Sequence, residues 1–138
     1  AKGSAQADRL AVLLGCFGVQ RVVSSDALRC VDTVRPYATS RRAHIEHEPR
    51  VTEDGHEEAP AGASKAALEL MSDPVPTVVC SHRPVLPTLF AALGDLPASP
   101  FDRSPVLQSP LSPGAFVVVH RRMTPSGPQV VAVERHDP

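Results

Sequence analysis

The feature that most restricts the fold is a rhythm. Short β-branched runs at residues 21–25 (RVVSS), 44–51 (HIEHEPRV) and 77–80 (TVVC) are each separated from the next by a segment of helical spacing. Parallel strands cannot be joined by tight turns; they need a crossover of a dozen or more residues, usually a helix. Residues 5–14 place Ala7, Leu10, Ala11 and Leu14 at helical intervals, with Gly15 or Gly18 to end the helix. Residues 25–38 read as a second helix, with Ser25 as N-cap, Asp26 at the positive end of the dipole and Pro36 closing it. Residues 62–72 turn Ala63, Ala66, Ala67 and Leu70 inward, and residues 84–94 form a helix ended by Gly94. The order helix, strand, helix, strand, helix, strand, helix predicts a mostly parallel sheet covered on both faces, a three-layer α/β/α sandwich. Two further strands, 115–122 and 129–136, flank MTPSGP and predict an antiparallel C-terminal hairpin at the sheet edge. TEDGHEEAPAG, after residue 51, reads as an acidic loop, and the proline- and serine-rich stretch from Asp95 to Gly114 as a surface excursion.

Length and charge bound the class. A chain of 138 residues suits one domain, 1–138, that buries roughly two thirds of its unfolded surface. A formal charge of −1 offers no general attraction to a nucleic-acid polymer or an acidic membrane. No apolar run approaches the ~20 residues of a membrane helix and no signal-peptide pattern opens the sequence, so a cytoplasmic location is expected. Cys16, Cys30 and Cys80 are an odd number at unrelated spacings inside apolar runs. They read as reduced core residues, not as a zinc site.

Function should sit at the strand tips, because open α/β sheets bind ligands beyond the carboxyl ends of their strands, where helix N-termini point free N–H groups. Two tips carry unusual side chains: Val78-Val79-Cys80-Ser81-His82, and Val22-Val23-Ser24-Ser25-Asp26-Ala27-Leu28-Arg29. Helical side chains lean toward the N-terminus, so Arg29 can reach the mouth that His82 faces. A guanidinium fork, an imidazole and helix N-termini make an anion pocket, with no metal required. His44-Ile45-Glu46-His47-Glu48 alternates faces along a strand and reads as a solvated edge. His120-Arg121-Arg122 reads as a basic surface spot.

Three segments resemble the histidine phosphatase superfamily, the phosphoglycerate-mutase-like fold. Gly3-Ser4-Ala5-Gln6-Ala7-Asp8-Arg9-Leu10-Ala11 is similar to its "G-x-x-Q-A-x-x-L-A" first helix. Ser24-Ser25-Asp26-Ala27-Leu28-Arg29-Cys30-Val31-Asp32-Thr33 is similar to its "S-S-x-x-x-R-x-x-x-T" turn, and Val78 to His82 to its strand ending in the second active-site histidine. More narrowly, SSDALRCVDTVRPYA and SHRPVLPTLF resemble the carboxyl-terminal domain of actinobacterial two-domain hydrolases, in which a MutT-like Nudix domain precedes a histidine phosphatase domain.

The resemblance implies a hydrolase of oxidised guanine nucleotides such as 8-oxo-dGTP and 8-oxo-GTP, working in nucleotide-pool sanitation and DNA repair through a phosphohistidine. It implies His82, Arg29 and the acid Glu53 as catalytic residues, with Glu57 and Glu58 as rivals for the acid. Arg29, His82, Ser25 and Arg83 are the implied phosphate binders. No cofactor is implied for this domain; magnesium belongs to the Nudix part, whose glutamate box is not found in this sequence. The family's first strand, ending in Arg-His-Gly or Arg-His-Ala and carrying the nucleophile, is likewise not found. The chain alone is therefore expected to be inactive, with that strand supplied by another segment or a complementary chain. The implied partners are a phosphorylated small molecule such as a nucleotide, the Nudix domain, and a second copy in a homodimer. The alternatives are a stand-alone phosphohistidine phosphatase and a non-catalytic module that supports dimerisation or the neighbouring Nudix site.

Overall fold

A computed structural model describes residues 2–97, 99–100 and 110–138. In chain order the elements are α1 (Lys2–Cys16), β1 (Arg21–Ser24), α2 (Leu28–Arg41), β2 (Ile45–His47), a 3-10 turn (Pro49–Val51), α3 (Glu53–Glu58), α4 (Pro60–Ser72), β3 (Thr77–Cys80), α5 (Leu86–Gly94), β4 (Phe116–Thr124) and β5 (Gly127–His136). The first three strands form a parallel sheet in the order β2-β1-β3, with Val22 opposite both Ile45 and Val78.

The sheet separates two apolar layers. On one face Leu10 and Leu14 of α1 pack with Val34, Tyr37 and Ala38 of α2, against Val22, Val78 and Cys80. On the other, Ala63, Ala66 and Ala67 of α4 pack with Val85, Leu89 and Ala92 against Val79 and Val51. Val78 and Cys80 thus face one layer and Val79 the other, the period of two that a strand imposes. The three-layer sandwich read from the sequence is the observed architecture. No helix among the described residues is long and apolar enough to cross a membrane.

Several local expectations are corrected. Helix α2 begins at Leu28, capped at Ala27 without a side-chain bond, so Ser25 is not its N-cap. Pro36 does not close it: the helix runs on to Arg41 and ends where Arg42 turns left-handed. A proline forfeits only its own N–H bond and a contact one turn back. Here the next residue, Tyr37, is buried and donates its hydroxyl proton to the Val19 carbonyl, which holds the turn in place. The acidic loop is helix α3, begun by Thr52, whose Oγ1 accepts from Gly55 N at 2.9 Å. In α4 Met71 is buried where Leu70 was expected, and Leu70 is half-buried. Cys16 is exposed on the outer side of α1's last turn, whereas Cys30 is buried and Cys80 half-buried.

The hairpin is not an edge of the main sheet. β4 and β5 pair antiparallel as a sheet of their own, docked by Val117, Val119 and Val133 against Met71, Leu93 and Phe90. Arg121, read as part of a basic surface spot, instead donates to the carbonyls of Leu70 and Met71 at 2.7 Å each and of Val75 at 3.0 Å, which ties the hairpin to the end of α4. His120 and His136 each meet a different oxygen of Glu134, at 2.6 and 3.0 Å. Among the described residues no strand pairs with the edge of β3 that faces away from β1. Half of the expected surface excursion, residue 98 and residues 101–109, lies outside the described residues.

Candidate active site

The carboxyl ends of β1 and β3 are held side by side by the ladder, Ser24 opposite Cys80, and Ser25 N donates to Cys80 O at 2.9 Å. Past Cys80 the chain turns sharply. Ser81 Oγ donates to Val51 O at 2.7 Å, and His82 O accepts from Val85 N at 2.9 Å and Leu86 N at 3.1 Å. These bonds start α5 and fix the His82 backbone, which is why a core strand ends abruptly in a histidine. Past Ser24 the chain bends through Ser25, Asp26 and Ala27 before α2 begins, which puts Arg29 in the first helical turn.

The two tips converge. Arg29 Nη2 lies 2.9 Å from His82 Nδ1, although the residues are 53 apart in sequence. Glu53, at the start of α3, joins them: its Oε1 accepts from Arg29 Nη2 at 2.5 Å and stands 3.2 Å from His82 Nδ1. The imidazole side chain is 4% exposed, while the carboxylate and guanidinium are 47% and 71% exposed. The ring therefore forms the floor, with two charged groups reaching over it from solvent. A carboxylate oxygen thus stands between an arginine and a histidine.

Behind the ring, His82 Nε2 lies 2.8 Å from Ser25 Oγ, which also accepts from Ala27 N at 3.3 Å. Ser25 is fully buried, so its hydroxyl lies beneath the imidazole and away from the mouth. Cys30 Sγ lies 3.7 Å from His82 Nε2 and donates to Ser81 O at 3.5 Å. The sequence placed Cys30 in the core; only its position one residue after Arg29 hinted at a place in the site. Burial is the chief cause that holds the His82 pKa below its ordinary value; Arg29 adds to it, and Glu53 and Asp26 pull the other way. A hydrogen bond from Cys80 draws the Cys30 thiol below its usual range.

Of the residues expected at the site, His82, Arg29, Glu53 and Ser25 stand together. Arg83 is exposed and outside the contacts of this cluster among the described residues, as are Glu57 and Glu58 on α3. His136, the one histidine in the sequence preceded by arginine, lies elsewhere. It stacks on Phe116 and meets Phe17, which precedes β1 and so marks the opposite end of the strands. Two open clefts also lie away from the cluster. One of about 440 Å³ runs between α4 and α5, beside Leu68, Thr88 and Ala92. The other, of about 100 Å³, is bordered by Arg21, Glu46, Arg50 and Glu69.

The model of the histidine phosphatase superfamily (branch 1) matches residues 1–69, half of the 138-residue chain and the half that contains Arg29 and Glu53. The chain belongs to the histidine phosphatase superfamily. An 8-oxo-(d)GTP phosphatase of Mycolicibacterium smegmatis is 33% identical over 88 residues, which cover 64% of this chain and 27% of that protein. This chain thus corresponds to about a quarter of the length of that relative. Among solved structures, mycobacterial hydrolase 1 superposes with a TM-score of 0.69 at 17% identity, over 93% of this chain and 81% of the other. A mycobacterial glucosyl-3-phosphoglycerate phosphatase does so with a TM-score of 0.66 at 15% identity, over 93% and 82%. These two likenesses establish the phosphoglycerate-mutase-like fold.

Proposed function

We propose that this chain is the phosphate-holding part of a metal-independent phosphatase acting on nucleotides with an oxidised guanine, joined in its full protein to a Nudix domain. The observation that carries the reading is the 2.9 Å approach of Arg29 Nη2 to His82 Nδ1 with the Glu53 carboxylate seated on both. A phosphoryl group brings oxygens to the place that this carboxylate fills. Arg29 grips two of them as a fork, and His82, protonated at Nδ1, donates to a third. Such preorganised donors stabilise the charge that develops on the equatorial oxygens. Lysine would keep the charge at position 29 and lose the paired geometry.

The nucleophile comes from a strand ending in Arg-His that pairs with the free edge of β3. That edge supports the reading because β3 is a short, β-branched strand at the end of the sheet order, its backbone paired on one side only among the described residues. Attack of the incoming imidazole forms a P–N bond as the P–O bond to the leaving group breaks. Once displaced from Arg29, Glu53 takes up a proton from solvent and gives it to the leaving oxygen; water, passing a proton back to Glu53, then cleaves the P–N bond and restores the imidazole. The oxidised-guanine substrate rests on the relative's name and on the SSDALR and SHRP segments.

The test uses the full-length protein with 8-oxo-dGTP and 8-oxo-dGDP, with and without magnesium, beside its Arg29→Ala and His82→Ala variants. Phosphate release without metal, lost in both variants, is the expected result. An unchanged product profile in both variants overturns the catalytic reading and leaves a scaffolding role.

A further inference from the structure

The hydrogen bonds behind His82 run in one direction, and that direction determines which ring nitrogen holds the proton. Arginine can only donate, so at 2.9 Å from Arg29 Nη2 the resting His82 Nδ1 presents its lone pair. A proton on Nδ1 aimed at Glu53 Oε1, 3.2 Å away, would set two N–H groups against each other across that shorter contact. The single ring proton is therefore on Nε2 and is donated to Ser25 Oγ at 2.8 Å. Ser25 Oγ also accepts from Ala27 N at 3.3 Å and so serves as an acceptor at this end of the ring. Arg29 must donate to one ring nitrogen and Ser25 Oγ is placed to accept from the other, so the ring proton has one consistent place.

We propose that Ser25 is a positioning residue which, acting with Arg29 on the other nitrogen, holds the ring proton of His82 on Nε2 by accepting it, so that the imidazole offers a lone pair to Arg29 at rest and captures an anion only by taking up a proton at Nδ1. The proton uptake rests on the phosphate-site reading above; the tautomer does not. The charged and titratable groups around the ring are Arg29 and Cys30 of α2, Asp26 before it, and Glu53 of α3. Of these only Glu53, 3.2 Å from Nδ1, can pass a proton to that nitrogen directly. Ser25 touches neither an anion nor the reacting atoms in this scheme and acts through His82.

The experiment is nitrogen-15 NMR of the histidine side chains of this chain, with the His82 signals assigned by loss in His82→Gln. Wild type, Ser25→Ala and Ser25→Thr are compared, and each is titrated with inorganic phosphate. The expected result is an Nε2–H tautomer in the wild type, a shift toward Nδ1–H in Ser25→Ala, and recovery in Ser25→Thr. Phosphate should then convert the wild-type ring to the doubly protonated form at a pH where it is otherwise neutral. A wild-type ring with its proton on Nδ1 overturns the proposal whether or not any variant folds, as does a Ser25→Ala ring with the wild-type tautomer. A tautomer that follows Ser25 while the ring ignores phosphate keeps the positioning role of Ser25 and overturns the phosphate-site reading instead.

Discussion

Replacing Glu53 by glutamine should tighten anion binding, because the carboxylate occupies the seat an anion must take. Its Oε1 lies 2.5 Å from Arg29 Nη2 and 3.2 Å from His82 Nδ1, so a phosphate oxygen cannot enter without displacing it. Once displaced, the carboxylate remains on the same short helix and repels the arriving charge. Two unit charges ~4 Å apart interact by about 1 kcal/mol in bulk water and about 4 kcal/mol at a surface-site dielectric of ~20. Glu53 is 47% exposed, which favours the lower end of that range. The Arg29–Glu53 pair that must also break is solvent-accessible, and such pairs contribute roughly 0.2–1 kcal/mol. Together the two effects amount to roughly 1–2 kcal/mol, or a ~5- to ~30-fold lower Kd for inorganic phosphate in Glu53→Gln. Titration calorimetry at low ionic strength reads this directly, and added salt should shrink the difference as screening grows. Unchanged or weaker phosphate binding in Glu53→Gln would show that the carboxylate is part of the seat and not its occupant. In the full-length protein the same substitution should lower turnover, since the leaving group then lacks its acid.

Four further outcomes follow from the packing. Arg121→Ala strips three carbonyls of their donor, at Leu70, Met71 and Val75, and should destabilise the chain by about 1–3 kcal/mol in urea unfolding, with early loss of amide protection in the hairpin. Gly55→Ala would set a Cβ 2.1 Å from the Pro49 carbonyl oxygen and 2.9 Å from Thr52 Oγ1, so α3 must move; the Arg29–Glu53 contact should be lost, and phosphate binding should change as in Glu53→Gln. Tyr37→Phe removes the donor to the Val19 carbonyl in a fully packed setting and should cost about 1–3 kcal/mol by the same unfolding assay. Because burial holds the folded His82 pKa below its unfolded value, the unfolded chain takes up a proton first as the pH falls. The stability this residue contributes is complete above the unfolded imidazole pKa and is lost as the pH falls through it toward the folded value, so unfolding midpoints between about pH 7.5 and about pH 5.5 should drop further in wild type than in His82→Gln.

The layers were legible because period and composition agree: TVVC and RVVS are β-branched, and Ala63, Ala66 and Ala67 recur on one helical face. The convergence of Arg29 and His82 was legible because parallel strands in one sheet must end on the same side, and both residues stand at such ends. Glu53 was legible only as one of three acids, since nothing local tells which carboxylate a short helix will aim inward. Thr52 as N-cap and Gly55, packed beneath the Pro49 carbonyl, decide that, and both depend on a turn formed by residues 49–51. Pro36 misled because its cost is local, whereas the burial of Tyr37 and Ala38 that outweighs it is tertiary. The place of Cys30 under the imidazole was illegible for a similar reason: an apolar run shows that a thiol is buried, not which ring it is buried beside. Arg121 reads as a surface cation until the end of α4 is known to lie against the hairpin.

Arg29 and His82 should grip one anion together, and a double-mutant cycle of phosphate binding tests this most directly. Titration of wild type, Arg29→Ala, His82→Ala and the double variant should show each single change weakening phosphate by ~10-fold or more, with the double variant little worse than either single one, because both groups act on the same ligand. Wild-type affinity retained in either single variant, or two losses that simply add, would contradict it.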